Sequence, residues 1–154
     1  MNPEAKTELK TRLLAWCRQH QEELATTARL AMETAQASAN EQKGTMGDKF
    51  ESFREQCQID RDLFARQLAE HLAGLETLSR LDGHVLHLTV RPGAVVITDQ
   101  GRFLVALSLG EILLDEARYV AISVQSPLCR AMLGKATGDT FTFGPKTYQV
   151  VEIF

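Results

Sequence analysis

Lys43-Gly44-Thr45-Met46-Gly47-Asp48-Lys49-Phe50-Glu51 separates two stretches of helix-like sequence, and its reading decides the fold. Two glycines within four residues break helix propensity, and glycine readily takes the positive-φ conformation that ends a helix. Asp48 then offers an N-cap oxygen, with Glu51 three residues on, where the acid of a capping box sits. One helix is therefore expected to stop near Gly44 and a second to start near Asp48. So short a connection makes the two helices antiparallel neighbours, a helical hairpin.

The stretches on either side support this. From Pro3 to about Gln42, Leu9, Leu13, Trp16, His20, Leu24, Ala28, Ala31, Ala35 and Ser38 recur at three- and four-residue steps, the seam of a two-helix coiled coil. Pro3 suits the first turn, and Glu4 and Glu8 suit the positive end of the helix dipole. From Asp48 to about Leu81, a second stripe runs through Phe50, Phe53, Cys57, Asp60, Phe64, Leu68, Leu72, Leu75 and Leu78. Folding the chain at the turn sets large residues of one stripe against small ones of the other near the tip, and large against large at the base. If Phe53 and Leu72 lie in the seam, each contributes roughly 1.5–3 kcal/mol, and an Asp at either position destabilises the hairpin strongly.

After Leu81 the pattern changes. Asp82-Gly83 breaks the helix, and the remainder is rich in Val, Ile, Leu, Thr and Phe between short turn signals. Val85–Val90 reads as a strand, closed by Pro92-Gly93. Ala94–Thr98 and Phe103–Leu107 flank the turn Asp99-Gln100-Gly101-Arg102, a hairpin. Further strands are expected over Glu111–Leu114, Arg118–Val124, Thr140–Phe143 and Thr147–Ile153. A helix is expected from Pro127 to Lys135, with Ser126 as N-cap. The class is α+β: a long antiparallel helical hairpin over residues 1–81, its tip near 43–51, then an antiparallel sheet with one short helix over 82–154.

Composition narrows the function. The 154 residues carry a net charge of −3, and both halves are near neutral, with 11 Lys+Arg against 13 Asp+Glu in residues 1–81 and 6 against 7 in 82–154. Neither half is a basic patch, which argues against independent DNA binding. Cys17, Cys57 and Cys129 form no zinc spacing and suit a reducing cytoplasm. No signal peptide and no membrane-length apolar run is legible. His84 and His87 are three apart, which in a strand puts them on opposite faces and not on one metal. No acid–base dyad, nucleophile triad or phosphate-binding glycine loop is present.

One segment carries more. Ser126-Pro127, Arg130, Gly134-Lys135 and Gly138-Asp139 form a strand-end Ser-Pro, a helix with an early Arg and a late Gly-Lys, and a Gly-Asp opening the next strand. This pattern resembles the C-terminal domain of the bacterial Gre transcript-cleavage factors, and the hairpin resembles their N-terminal domain. The resemblance implies an FKBP-like C-terminal domain that binds RNA polymerase at the rim of its secondary channel, here through Gln125, Ser126, Pro127, Leu128 and Arg130. It implies that the tip carboxylates, here Asp48 and Glu51 in Gly47-Asp48-Lys49-Phe50-Glu51, help complete a Mg²⁺ site of the polymerase. Lys43, Lys49 and Arg54 would then steer the tip toward the nascent RNA 3′ end. On this reading the protein is no enzyme itself and has no metal or cofactor of its own. It assists the polymerase active site and stimulates cleavage of backtracked RNA. Three rivals stay open: a channel-blocking regulator without cleavage activity, an FKBP-like peptidyl-prolyl isomerase, and a coiled-coil adaptor.

Overall fold

The computed structural model describes residues 1–41 and 51–154. Its elements are helices α1 (Pro3–Glu41) and α2 (Glu51–Ser79), strands β1 (Val95–Thr98), β2 (Arg102–Ala106), β3 (Gly110–Leu114) and β4 (Ala117–Ser123), helix α3 (Pro127–Met132), and strands β5 (Thr140–Phe143) and β6 (Lys146–Ile153). The class is α+β, a long helical hairpin followed by a six-stranded sheet and a short helix. The chain divides into two compact units, Met1–Gln19 with Thr77–Phe154, and His20–Glu76.

In the first unit α1 starts on a cap that the sequence reading passed over. The N–H of Ala5 donates to Asn2 Oδ1 at 2.8 Å and that of Lys6 to the Asn2 carbonyl at 3.0 Å, satisfying N–H groups that have no partner inside the helix. The strand order is β3-β4-β2-β1-β6-β5. The strands alternate between two cores, because successive side chains leave a strand on opposite faces. Val95, Leu104, Tyr119 and Ala121 face one side and pack with Leu9, Leu13, Leu14 and Cys17 of α1, Leu78, Ile112 and Phe154. Val96, Phe103, Val105 and Ile122 face the other and pack with Cys129 and Met132 of α3, Val90, Phe141, Tyr148 and Val150. Covered on both faces, the central strands read as unbroken apolar runs.

Besides α3 ending at Met132, short of the expected Lys135 because Leu133 leaves helical backbone (ψ 133°), two sequence expectations fail in this unit. The sheet is mixed, because β2 and β4 run parallel, Arg102 opposite Tyr119 through Ala106 opposite Ser123. The cause is strand order: β3 passes to the sheet edge and does not pair with β2, so β4, returning from the tight turn after β3, pairs with β2 in the same direction. Asp115 (φ 51°) and Glu116 (φ 62°) both take left-handed backbone, the conformation of the commonest two-residue hairpin loop. That turn sends β4 back in the direction of β2, and β4 occupies the place between β3 and β2. Arg12 of α1 grips the same turn, donating to both Asp115 carboxylate oxygens at 2.6 and 3.1 Å. The second failure is Val85–Val90, which forms no strand. Only Thr89 makes a bridge, to Ala136. The segment is instead tied to α1: Arg18 donates to the Leu81 carbonyl at 3.1 Å and Lys10 Nζ to the Val85 carbonyl at 2.5 Å. Gly83 lies directly on α1, where a Cβ would meet the Thr11 Cα and N at 2.9 Å. Without a neighbouring strand, the β propensity of Val85–Val90 had nothing to pair with.

Among the described residues of the second unit, Gln21, Ala25, Ala28, Ala39 and Cys57 are buried. Gln21 Nε2 donates to the His71 carbonyl at 3.0 Å, fixing that level of the two helices. Leu24, Ala31, Ala35, Phe64, Leu68 and Leu75 are half-buried, as the expected seam requires. Phe53 and Leu72 are not in it, being 50% and 44% exposed. The register at Gln21 explains Leu72. It is the neighbouring turn position, His71, that lies against α1, so Leu72 is rotated outward by one residue, about 100°. Among the described residues no helix is long and apolar enough to cross a membrane.

Candidate docking surface

The surface is built where β4 ends. The Ser123 carbonyl accepts from both the N–H and Oγ of Ser126, at 3.1 and 2.9 Å, and Ser123 Oγ accepts from the N–H of Gln125 at 3.3 Å. These bonds close a tight loop. Ser126, in extended backbone (φ −67°, ψ 145°), caps α3 by accepting from the N–H of Cys129 at 3.2 Å. Pro127 follows at the first helical position, where its missing N–H costs nothing. Cys129 and Met132 anchor the helix in the core with Leu128 and Ala131 packed beside them, which leaves Arg130 exposed.

The helix stops at Leu133, whose extended ψ (133°) opens a turn completed by left-handed Gly134 (φ 79°), and the Gly134 N–H goes to the Val90 carbonyl at 2.9 Å. Gly138 is also left-handed (φ 92°), and Asp139 closes that turn by accepting from the N–H of Ala136 at 2.8 Å. Every residue of the Ser-Pro, Gly-Lys and Gly-Asp pattern except Lys135 therefore shapes the backbone through a cap, a fixed φ or a turn bond. Lys135 contributes its main chain, accepting from the N–H of Val90 at 2.9 Å.

Of the five candidate binding residues, Gln125, Pro127 and Arg130 are exposed on one continuous loop and helix start, beside exposed Val124. Ser126 is half-buried and its hydroxyl is spent on the cap. Leu128 is half-buried and packs against the α3 core. Arg130 makes no salt bridge among the described residues. The tip is a different matter: Lys43, Asp48 and Lys49 lie outside the described residues. Glu51 is the first described residue of α2 and is exposed, and Arg54 follows it half-buried. Among the described residues no group of three or more His, Cys, Asp or Glu could hold a metal.

The sequence reading missed the lysine at the base of α1. Lys10 is fully buried, and burial pushes its pKa down to about 8, with the Asp82 carboxylate pulling the other way. Its spacing was the available signal, since it stands three residues before Leu13 and seven before Cys17, on the buried stripe. His87, half-buried nearby, is also held below its usual pKa by burial and then by the positive charges of Lys10 and Arg91.

No protein-family model matches the chain, and no curated protein matches it. Among solved structures it is similar to the GreA factor homolog 1 (Gfh1) protein of Thermus thermophilus, with 18% identity over 89% of this chain and 94% of that one, at a TM-score of 0.33. A second structure, of the transcription factor Gfh1, gives 20% identity over 88% of this chain and 92% of that one, also at 0.33.

Proposed function

We propose that this chain is a Gre-like transcription factor that docks on bacterial RNA polymerase through Gln125, Pro127 and Arg130, with Ser126 and Leu128 setting their geometry. The observation that carries the reading is the segment from Ser126 to Asp139. A capped helix begins at Ser-Pro, ends in a turn with left-handed Gly134 and passes through a left-handed Gly138 into an Asp139-closed turn, in a chain that also holds a two-helix hairpin.

On this reading the turn between α1 and α2 works inside the polymerase, and the protein has no nuclease site of its own. Asp48 and Glu51 supply negative charge to a Mg²⁺ of the polymerase. That ion's chemistry, when bound, is to lower the pKa of a water and so provide the nucleophile for RNA cleavage. Glu51 suits the role in one respect: its carboxylate is exposed and makes no salt bridge among the described residues. Lys43, Lys49 and Arg54 act on the RNA 3′ end or its phosphates.

The test uses a backtracked elongation complex of bacterial RNA polymerase. Wild type is expected to release short 3′ RNA fragments in a Mg²⁺-dependent way. Asp48→Asn, which removes charge but keeps a capping side chain, is expected to lower that release by at least tenfold with polymerase affinity unchanged. Binding together with inhibition, and no fragment release at any Mg²⁺ concentration, would make the protein a channel-blocking regulator instead.

A further inference from the structure

The segment between α2 and the sheet turns its side chains the wrong way round for a buried strand. Val85, Leu86 and Leu88 are 47, 38 and 87% exposed, and Leu88 is the most exposed large apolar side chain among the described residues. His87, the polar residue between the leucines, points inward instead. A Cβ built on Gly93 would lie 3.4 Å from His87 Nε2 and 3.6 Å from Leu81 Cδ2. An apolar group left in water forgoes about 25 cal/mol for each Å² that burial would cover, so three neighbouring outward apolar residues mark a surface built to be covered. The N–H groups of Leu86, His87 and Leu88 donate to no carbonyl among the described residues.

This segment is continuous with α3. Val90 donates to the Lys135 carbonyl and accepts from the N–H of Gly134, both at 2.9 Å, and Thr89 bridges Ala136. Arg91 is thereby held beside the end of the helix that carries Arg130. Arg91 and Arg130 are exposed, and neither they nor Lys135 makes a salt bridge among the described residues. In a chain of net charge −3 the side nearer α3 is basic, its acid Asp139 being engaged in a turn, while at the other end of the segment Asp82 accepts from the N–H of His84 and offsets the buried Lys10.

We propose that Val85, Leu86 and Leu88, flanked by Arg91 and Arg130, form a second docking contact for an apolar, acidic surface of the polymerase. It rests on the Gre-like reading and enlarges the interface beyond the Gln125–Arg130 loop. The leucines select protein over nucleic acid, because a phosphate backbone offers nothing apolar to cover them. The arginines select an acidic partner over a second copy, whose own Arg91, Arg130 and Lys135 would meet like charge.

The experiment measures binding of the full chain to purified bacterial core RNA polymerase by interferometry at two salt concentrations. The double variant Leu86→Ser, Leu88→Ser is expected to raise Kd at least tenfold with its melting temperature kept, since both side chains already face water. Arg91→Glu, an exposed position, is expected to raise Kd as well and to flatten the salt dependence; it decides the matter should the serine variant melt early. Tight wild-type binding that neither variant weakens overturns the second contact and leaves the Gre-like reading standing. No wild-type binding overturns both. A wild-type dimer in gel filtration that the serine variant dissolves assigns the surface to a second copy and also overturns the proposal.

Discussion

The unit built from Met1–Gln19 and Thr77–Phe154 buries Leu, Val, Ile, Met and Phe side chains completely, whereas among its described residues the unit His20–Glu76 buries only Gln21, three alanines and Cys57. Both contain the same kind of apolar stripe on α1. The difference lies in the number of layers. A large side chain between two helices alone is covered above and below but stays open at the sides. A sheet face adds the missing wall, and Leu13 and Leu14 become wholly buried where α1 lies on β-strands. Where only α1 and α2 meet, alanines close the gap between backbones and Phe64, Leu68 and Leu75 remain half in water. Heptad spacing reports which face is inward, and the number of packed layers sets how far inward it goes.

That comparison predicts unequal costs for similar substitutions. The largest effect is expected at Leu104, fully buried in the centre of the sheet and facing α1. Leu104→Ala should lower stability by about 2–5 kcal/mol, through lost transfer energy and the cavity left behind. Urea unfolding checks it, and a loss below about 1 kcal/mol would mean that the α1-facing core is looser than its burial indicates.

Lys10 comes next and carries a pH signature. Its folded pKa of about 8 lies below the ordinary 10.5. Between these values the unfolded chain holds a proton that the folded chain has released, so stability rises with pH across that window and is flat on either side. Below pH 8 the buried ammonium costs on the order of 3 kcal/mol at about 1.36 kcal/mol per pKa unit. Lys10→Met removes that cost but forfeits the bond to the Val85 carbonyl, about 1 kcal/mol. The variant should therefore be more stable than wild type by about 1–3 kcal/mol at pH 7, with the advantage gone above pH 10.5. Chemical denaturation from pH 7 to 11 measures this, and parallel stability curves for the two proteins would contradict it.

What the sequence revealed follows the same division. Element types were legible wherever a local signal is also decisive: Ser126-Pro127 for α3, Asp99–Arg102 for the β1–β2 turn, and the three- and four-residue steps of α1 and α2. Long-range partners were not. Val85–Val90 has the composition of a strand, but pairing depends on a neighbour that its own letters do not specify. The turn at Asp115-Glu116 was readable, but the parallel β2–β4 pair depends on β3 passing to the sheet edge, which no local signal specifies. For the candidate site, the Ser-Pro and Gly-Asp pattern marked the loop, yet it named the residues that shape the backbone as readily as those that face a partner. Exposure alone does not separate the two sets, since Gly134, Gly138 and Asp139 are exposed along with Gln125, Pro127 and Arg130; the caps, turn bonds and left-handed backbone do. The outward leucines at 86 and 88 escaped notice because alternation alone does not say which face is in.

The smallest effect is expected at Leu72, where stripe reading and structure part company. As a seam residue its replacement by Asp would strip the hairpin of a buried side chain and install a charge there, a cost of several kcal/mol. At 44% exposure, and one position past the inward His71, the carboxylate reaches water directly. Leu72→Asp should therefore cost no more than about 1 kcal/mol, in the range of surface substitutions. Leu75→Asp provides the control, because Leu75 is half-buried on the inward stripe and should cost distinctly more. Amide exchange across residues 20–41 and 51–76 reads both variants within the hairpin itself, where global unfolding is dominated by the sheet. If Leu72→Asp released the hairpin amides as fully as Leu75→Asp, α2 would be rotated from the register that the Gln21 bond defines, and spacing alone would set burial along this helix.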